Sequence, residues 1–112
     1  MIRKEIVLPA GRDEVWSALT DPRRLKDWFA NDVELDLRPG GEASFRWDNG
    51  ESRHATVIEV EEGERLVFEW EGEGDVEFTL ADDAGGTRLT VVETSPAWTS
   101  ALDLQASALA YA

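Results

Sequence analysis

Few residues of this chain are suited to acid–base or nucleophilic chemistry. His54 is the one histidine among 112 residues, and the chain has no cysteine. His54 and Glu93 are conceivable as an acid–base pair, although nothing in their spacing requires the two side chains to meet. The sequence holds no Gly-x-Ser-x-Gly, no His-Glu-x-x-His and no glycine-rich phosphate loop. We therefore assign no catalytic residue, and an enzyme is the less favoured interpretation.

Metal and cofactor chemistry has similarly weak support. Four carboxylates in one short run have the hard oxygen ligands that a divalent cation prefers. The run spans a predicted hairpin turn, however, and lacks the spacing of a ligand set. We predict no metal site and no cofactor. The four residues are Glu59, Glu61, Glu62 and Glu64.

Aromatic residues give a stronger signal. The chain has five tryptophans and four phenylalanines, and those on predicted strands recur at every second position, which places them on one face of a sheet. We expect them to line a concave surface, and the alternative is that they fill the core of a small domain. The set is Trp28, Phe29, Phe45, Trp47, Phe68, Trp70, Phe78 and Trp98.

Three polar residues are candidates for anchoring a ligand beside these rings. Gln105 lies within the apolar arc of a predicted C-terminal helix, with a helix edge at the rim as its alternative. His54 lies on a predicted strand, where it either faces the ligand or is an exposed or hydrogen-bonded strand histidine. Glu93 shares the inward parity of its strand but is expected at the mouth of the sheet, in water. Burying any of them unpaired is costly. The predicted ligand-binding residues are Trp28, Phe45, Trp47, His54, Phe68, Trp70, Phe78, Trp98, Leu102 and Gln105.

Two short helices are predicted between Gly11 and Phe29. Gly11 is a possible N-cap, and Glu14 stands where it can complete a capping box. Asp21 followed by Pro22 restarts the chain as a second helix, because proline is tolerated at the first helical position. Both helices are too short to be stable alone, so packing against the rest of the protein must hold them.

Most of the remaining chain predicts strands. Residues 2–8 and six further segments between 33 and 93 show period-two alternation, separated by turn sequences such as Asn49-Gly50. Apolar residues 57, 58 and 60 break that period, which predicts a β-bulge near Val57. Ser95-Pro96 begins a third predicted helix. Residues 1–112 therefore predict one α+β domain with a seven-stranded antiparallel sheet.

Charge restricts the possible partners. The formal net charge is −13, and residues 31–83 hold seventeen of the 24 acidic residues but four of the 11 basic ones. Such a surface disfavours nucleic acid and anionic membrane as partners. We expect the carboxylates to cover the solvent face of the sheet, and adaptation to high salt is the sharper alternative. Residues 2–8 lack the apolar run of a signal peptide, and no stretch approaches a membrane span, so a cytoplasmic protein is expected.

The order of strand, two helices, six strands and terminal helix resembles the helix-grip fold of the START-like (SRPBCC) superfamily of the birch-pollen allergen. The segments VWSALTDP at 15–22, RPGG at 38–41, LVFEW at 66–70 and TRLTV at 87–91 are similar to the branch named for the C-terminal domain of the heat-shock-chaperone ATPase activator. The resemblance implies a curved sheet gripping the C-terminal helix, with a cavity between them for a hydrophobic small molecule. It implies no shared catalytic set.

We therefore predict non-catalytic binding of a hydrophobic or aromatic small molecule between the sheet and the C-terminal helix. Because that helix is short, the cavity is expected to be small, open at one end or filled by side chains. A protein–protein interaction module, either chaperone-activator-like or a homodimer, is the first alternative. The second is an enzyme of cyclase or hydrolase type, which would need His54 or a carboxylate at the base of a deep cavity.

Overall fold

The structure is a computed structural model that describes residues 2–72 and 74–94. This part contains two helices and seven strands in the predicted order. The predicted third helix, with Trp98, Leu102 and Gln105, lies outside the described residues. The elements are β1 (Ile2–Leu8), α1 (Arg12–Thr20), α2 (Pro22–Trp28), β2 (Asp32–Leu35), β3 (Glu42–Arg46), β4 (Ser52–Glu61), β5 (Arg65–Trp70), β6 (Gly74–Asp83) and β7 (Gly86–Glu93).

All seven strands form one antiparallel sheet. Its order is β1-β7-β6-β5-β4-β3-β2, so β2 to β7 form the predicted meander and β1 adds to the outside of β7. The strands alternate between a buried and a solvent-facing side because successive side chains point to opposite faces. The two helices follow β1 in the chain, and α1 contacts β6 and β7 while α2 contacts β2. The predicted α+β helix-grip architecture is confirmed for these elements.

The helix boundaries have the expected local causes. Gly11 is the N-cap of α1 with extended backbone angles, and no side chain caps that end. Asp21 is the N-cap of α2, where its Oδ1 accepts a hydrogen bond from the backbone N–H of Arg23 at 2.9 Å. Pro22 occupies the first turn of α2 as predicted. The buried face of α1 includes Leu19, and its burial supplies the stability that a nine-residue helix lacks alone.

The predicted bulge lies in the middle of β4. Val57 pairs with Phe68 and Glu59 pairs with Val67, so Ile58 is the extra residue, and it is 48% exposed. The backbone of Val57 is free to bond elsewhere: its carbonyl accepts from the N–H of Gly40 at 2.7 Å, and its N–H donates to the carbonyl of Gly41 at 2.8 Å. These two bonds tie the turn between β2 and β3 to the middle of β4.

Neither of the two described helices has the length and apolar character needed to cross a bilayer.

Candidate ligand-binding site

The aromatic residues of the buried sheet face form one connected chain of rings. From α2 the chain runs through Phe29 to β3, β5 and β6, and neighbouring ring centroids are 5.2 to 6.5 Å apart. Trp47 and Trp70 join it as branches on Phe29 and Phe45, at 5.4 and 5.6 Å. Most pairs meet edge to face, the arrangement that the ring quadrupoles favour. The structure thus brings together Trp28, Phe29, Phe45, Trp47, Phe68, Trp70 and Phe78.

Burial divides this chain into an interior and an end that meets solvent. Phe45, Phe68 and Phe78 are fully buried. Trp47 is half-buried and packs against the core from its rim. Beside Trp47 lies a surface depression of about 210 Å³ that Trp28 and Phe29 also line. The chain of rings therefore reaches solvent next to α2, while its other members fill the core of the domain, as the alternative interpretation of these aromatic residues predicted.

The two indole N–H groups at this end have structural partners. Nε1 of Trp28 donates to the backbone carbonyl of Ala18 at 2.9 Å, and Nε1 of Trp47 donates to the carbonyl of Phe29 at 2.6 Å. The first bond joins α2 to α1, and the second joins β3 to the end of α2. These bonds fix the ring planes, a role that the periodicity of the sequence did not indicate.

Glu93 lies on the same face as the rings but is not in water. Its side chain is 1% exposed, and it stands between Ile2 of β1 and Val76 of β6 in the strand ladders. The predicted inward parity is right, whereas the predicted solvent exposure is wrong.

His54 lies on the other face of the sheet. Ala55 and Val57 of β4 are buried, so His54 points outward and is exposed, with its Nδ1 3.0 Å from Oγ of Ser44. It therefore does not join the aromatic cluster as a polar anchor. Glu93 is three strand spacings away, about 14 Å, and on the opposite face. The two side chains therefore do not form an acid–base pair, and His54 does not lie at the base of a cavity on the aromatic side of the sheet.

A groove of about 570 Å³ surrounds His54 on this outer face. Several carboxylates line it, among them Glu42, Glu69 and Glu71.

Across residues 2–72 and 74–94, no three metal-ligating side chains converge as an ion would require. Of the acidic run considered above, Glu59 lies 3.1 Å from Nη1 of Arg65. The pKa of Arg65 is raised chiefly by its side-chain hydrogen bond to Glu77, and the charge of Glu59 acts in the same direction.

Arg24 of α2 was not among the predicted site residues, and it lies near Trp28 at the end of the aromatic chain. Its Nε and Nη2 atoms are buried, yet neither has a hydrogen-bond partner among the described residues. The nearby Asp21 accepts instead from the backbone N–H and Nη2 of Arg23. The Arg23 backbone hydrogen bond is the main cause that lowers the pKa of Asp21, with the charge of Arg24 a smaller contribution. Arg24 and Trp28 are four residues apart and so adjoin on the helix surface.

The curved antiparallel sheet with two helices inserted after its first strand defines the class of protein. It is a helix-grip domain of the START-like (SRPBCC) superfamily, in the branch of the chaperone ATPase activator. Within that branch, the chain belongs to the family described as Activator of Hsp90 ATPase homolog 1-like protein, whose model matches residues 9–109. No curated protein sequence matches the chain significantly.

Solved structures with the same fold include two that are 32% identical to this chain. CalU16 from Micromonospora echinospora has a TM-score of 0.68, with 96% of this chain and 73% of CalU16 covered. DynU16, a protein in the dynemicin biosynthetic locus, has a TM-score of 0.77, with 98% of this chain but 45% of DynU16 covered. The chain therefore spans less than half of DynU16.

A more distant structure shares the fold alone. The Aha1 dimer from Colwellia psychrerythraea is 20% identical, with a TM-score of 0.75, and the match covers 96% of this chain and 89% of that one. The resemblance to Aha1 at this identity supports the architecture and leaves function to be argued from the residues.

Proposed function

We propose that this domain binds a hydrophobic or aromatic small molecule on the ring-bearing side of the sheet, without chemistry. The observation that carries the proposal is the continuous chain of ring contacts from Phe78 to Trp47, which ends at a solvent-facing depression beside α2. A ligand entering there would meet ring edges and faces that are already held in place. Preorganised rings reduce the entropy lost on binding.

The interior rings act as a floor in this proposal and the exposed end acts as the entrance. Phe45, Phe68 and Phe78 are fully buried and stabilise the domain by their mutual contacts. Trp47 is the half-buried ring at the depression, and polar atoms of the neighbouring residues make up most of its accessible rim. Covering about 200 Å² of apolar ligand surface at roughly 25 cal/mol per Å² gives on the order of 5 kcal/mol before association costs. The expected affinity is therefore micromolar or weaker.

The test uses a neutral fluorescent probe, N-phenyl-1-naphthylamine, titrated into the folded protein. We expect enhanced emission with saturation, and about tenfold weaker binding by Trp47→Ala. Ile58→Ala is the matched control, since Ile58 is an exposed apolar residue of the outer face. Native mass spectrometry of protein purified from its own host should also detect a retained small molecule. Absence of saturable binding, together with absence of any retained mass, would contradict the proposal.

Self-association is the second candidate function, suggested by the Aha1 dimer among the proteins of the same fold. The outer edge of β1 is the proposed pairing surface, because β7 is the one partner of β1 among the seven described strands and Val7 is exposed. Charged residues along β1, such as Arg3 and Glu5, oppose strand-to-strand pairing. Light scattering coupled to size exclusion separates the two candidates: a monomer at 100 µM argues against the dimer, and a dimer that Val7→Lys dissociates supports it.

A further inference from the structure

Arg24 is the residue from which the charge of the proposed ligand can be inferred. The chain has 11 lysine and arginine residues, all within the described part. Most hold a carboxylate directly, as Arg12 holds Asp82 at 3.1 Å and Arg38 holds Asp36 at 2.8 Å. Among residues 2–72 and 74–94, no carboxylate lies within ion-pair distance of Arg24. In a chain of net charge −13, an arginine left without an acid is an exception.

Burial makes the unpaired state of Arg24 costly. The guanidinium carries five N–H donors in a planar fork, and a charged donor withdrawn from water requires an acceptor. Buried Nε and Nη2 share one side of that fork, so together they present two parallel N–H groups. A carboxylate or another oxyanion accepts such a pair in bidentate geometry.

The location relates Arg24 to the ring chain. At about 100° per residue, Arg24 lies roughly 40° from Trp28 around α2. Trp28 begins the chain of rings and lines the depression beside Trp47. The exposed Arg23 points to another side of α2 and pairs with Asp21. Arg24 does not itself line that depression, so an anionic group at Arg24 would lie beside Trp28, the first ring of the aromatic chain.

We propose that Arg24 anchors the anionic group of the ligand, so that the preferred ligand is an apolar acid whose body contacts the aromatic chain near Trp28. This inference rests on the proposed function and specifies its substrate class. It also assigns the polar anchor to α2 rather than to His54 on the outer face of the sheet.

Two probes with one ring skeleton test the assignment. N-phenyl-1-naphthylamine is neutral, and 8-anilino-1-naphthalenesulfonate adds one sulfonate to the same rings. We expect the wild type to bind the sulfonate about tenfold more tightly than the neutral probe, since hydrogen bonds to charged groups have this order of strength. Arg24→Gln should reduce that ratio to near one without weakening the neutral probe, and Arg24→Lys should restore it in part, because lysine keeps the charge but not the fork.

Arg23→Gln is the matched control. It makes the same change of charge at the neighbouring residue, and the side chain of Arg23 is 90% exposed. It should leave the ratio unchanged. Equal affinity of the two probes in the wild type, or equal loss of the ratio in both variants, overturns the assignment of Arg24 while the proposed function stands. Failure of both probes to bind overturns both.

Thermal stability of the ligand-free protein gives a second readout. Removing an unpaired buried charge should raise the melting temperature of Arg24→Gln above that of Arg23→Gln. A lower melting temperature for Arg24→Gln would mean that the guanidinium has a structural partner, and the assignment would then be wrong.

Discussion

Trp28 of α2 donates its indole hydrogen to the backbone carbonyl of Ala18 in α1 across 2.9 Å, and both residues are buried. Ala18 lies in the last turn of α1, where carbonyl groups have no partner within the helix. The preceding carbonyl, that of Ser17, accepts from the N–H of Asp21. The first ring of the aromatic chain thus caps the helix next to it, so the position of that ring and the end of α1 are set together.

Trp28→Phe should destabilise the domain by about 1–3 kcal/mol more than the loss of ring area alone, because the carbonyl of Ala18 is left buried without a donor. Trp16→Phe is the control: Trp16 is similarly buried in α1 and shrinks by the same ring change. Urea unfolding followed by far-ultraviolet circular dichroism measures both. Equal losses in the two variants would show that the indole hydrogen bond has no net effect.

A second buried hydrogen bond joins β7 to the loop after β1. Oγ1 of Thr87, which is fully buried, donates to the carbonyl of Ala10 at 2.7 Å. Thr87→Val keeps the shape and removes the donor, so we expect a loss of about 1–3 kcal/mol in unfolding free energy. Thr87→Ser keeps the hydroxyl and should lose less, which calorimetry can distinguish. The reverse order would indicate that the methyl group, and not the bond, matters.

Gly41 in the turn between β2 and β3 has no room for a side chain. A Cβ atom there would lie 2.2 Å from the carbonyl oxygen of Asp36 and 2.9 Å from that of Arg38. Gly41→Ala must move backbone that is bonded to the β4 bulge, and we expect a loss of at least about 1–3 kcal/mol. Gly11→Ala is the control, because nothing lies within 4 Å of a Cβ at that position. Thermal unfolding should show a smaller loss for Gly11→Ala, limited to what alanine costs as a poorer N-cap than glycine; similar losses for both would contradict this account.

The sheet could be predicted closely because its strands alternate and its turns carry recognisable residues. The bulge at Val57 followed from a break in that alternation, and Asp21-Pro22 marked the start of α2. The same bulge made the parity of β4 ambiguous, so the sequence left open whether His54 faces the ligand or is an exposed, hydrogen-bonded strand histidine, and the structure shows the second arrangement. Burial of Ala55 and Val57 decides the parity, and burial depends on what the strand packs against.

Two features of the site were beyond sequence patterns. Glu93 had the right parity, but its burial depends on what packs over that face at the end of β7, which alternation along the strand does not report. Arg24 is adjacent to Arg23 in the chain and identical in type, and the two differ in accessibility and in pairing. Composition reports neither difference, because both arise from packing around α2.

Acid should weaken the edge of the sheet at Asp32 of β2. A hydrogen bond from Arg46 is the main cause that lowers the pKa of Asp32 below its ordinary 3.8, with the charges of Arg46 and Lys26 acting in the same direction and desolvation against it. The folded state thus binds fewer protons than the unfolded one. This contribution to stability is complete above about pH 3.8 and is lost as the pH falls through the folded pKa.

Asp32→Asn should therefore unfold at a lower temperature than the wild type at pH 7, with the gap closing below pH 3.8. Asp27→Asn removes an equally charged, exposed side chain of α2 and serves as the control. Melting temperatures measured between pH 2 and 7 give the comparison. A gap for Asp32→Asn that stays constant across this range would contradict the linkage.

The solvent face of the sheet places two like charges opposite each other on neighbouring strands. Glu69 of β5 and Asp75 of β6 are directly opposite in the antiparallel ladder, and both are exposed. Like charges in this position are destabilising, whereas an opposite pair contributes roughly 0.2–1 kcal/mol. Glu69→Lys should therefore stabilise the domain by about 0.5 kcal/mol or more. It should also reduce the gain in melting temperature that salt gives by screening the net charge of −13.

Glu62→Lys is the control, since it makes the same charge change in the exposed turn between β4 and β5. Thermal scans from low to molar sodium chloride compare the two variants: equal stabilisation would attribute the effect to net charge, and a larger gain for Glu69→Lys would attribute it to the cross-strand pair.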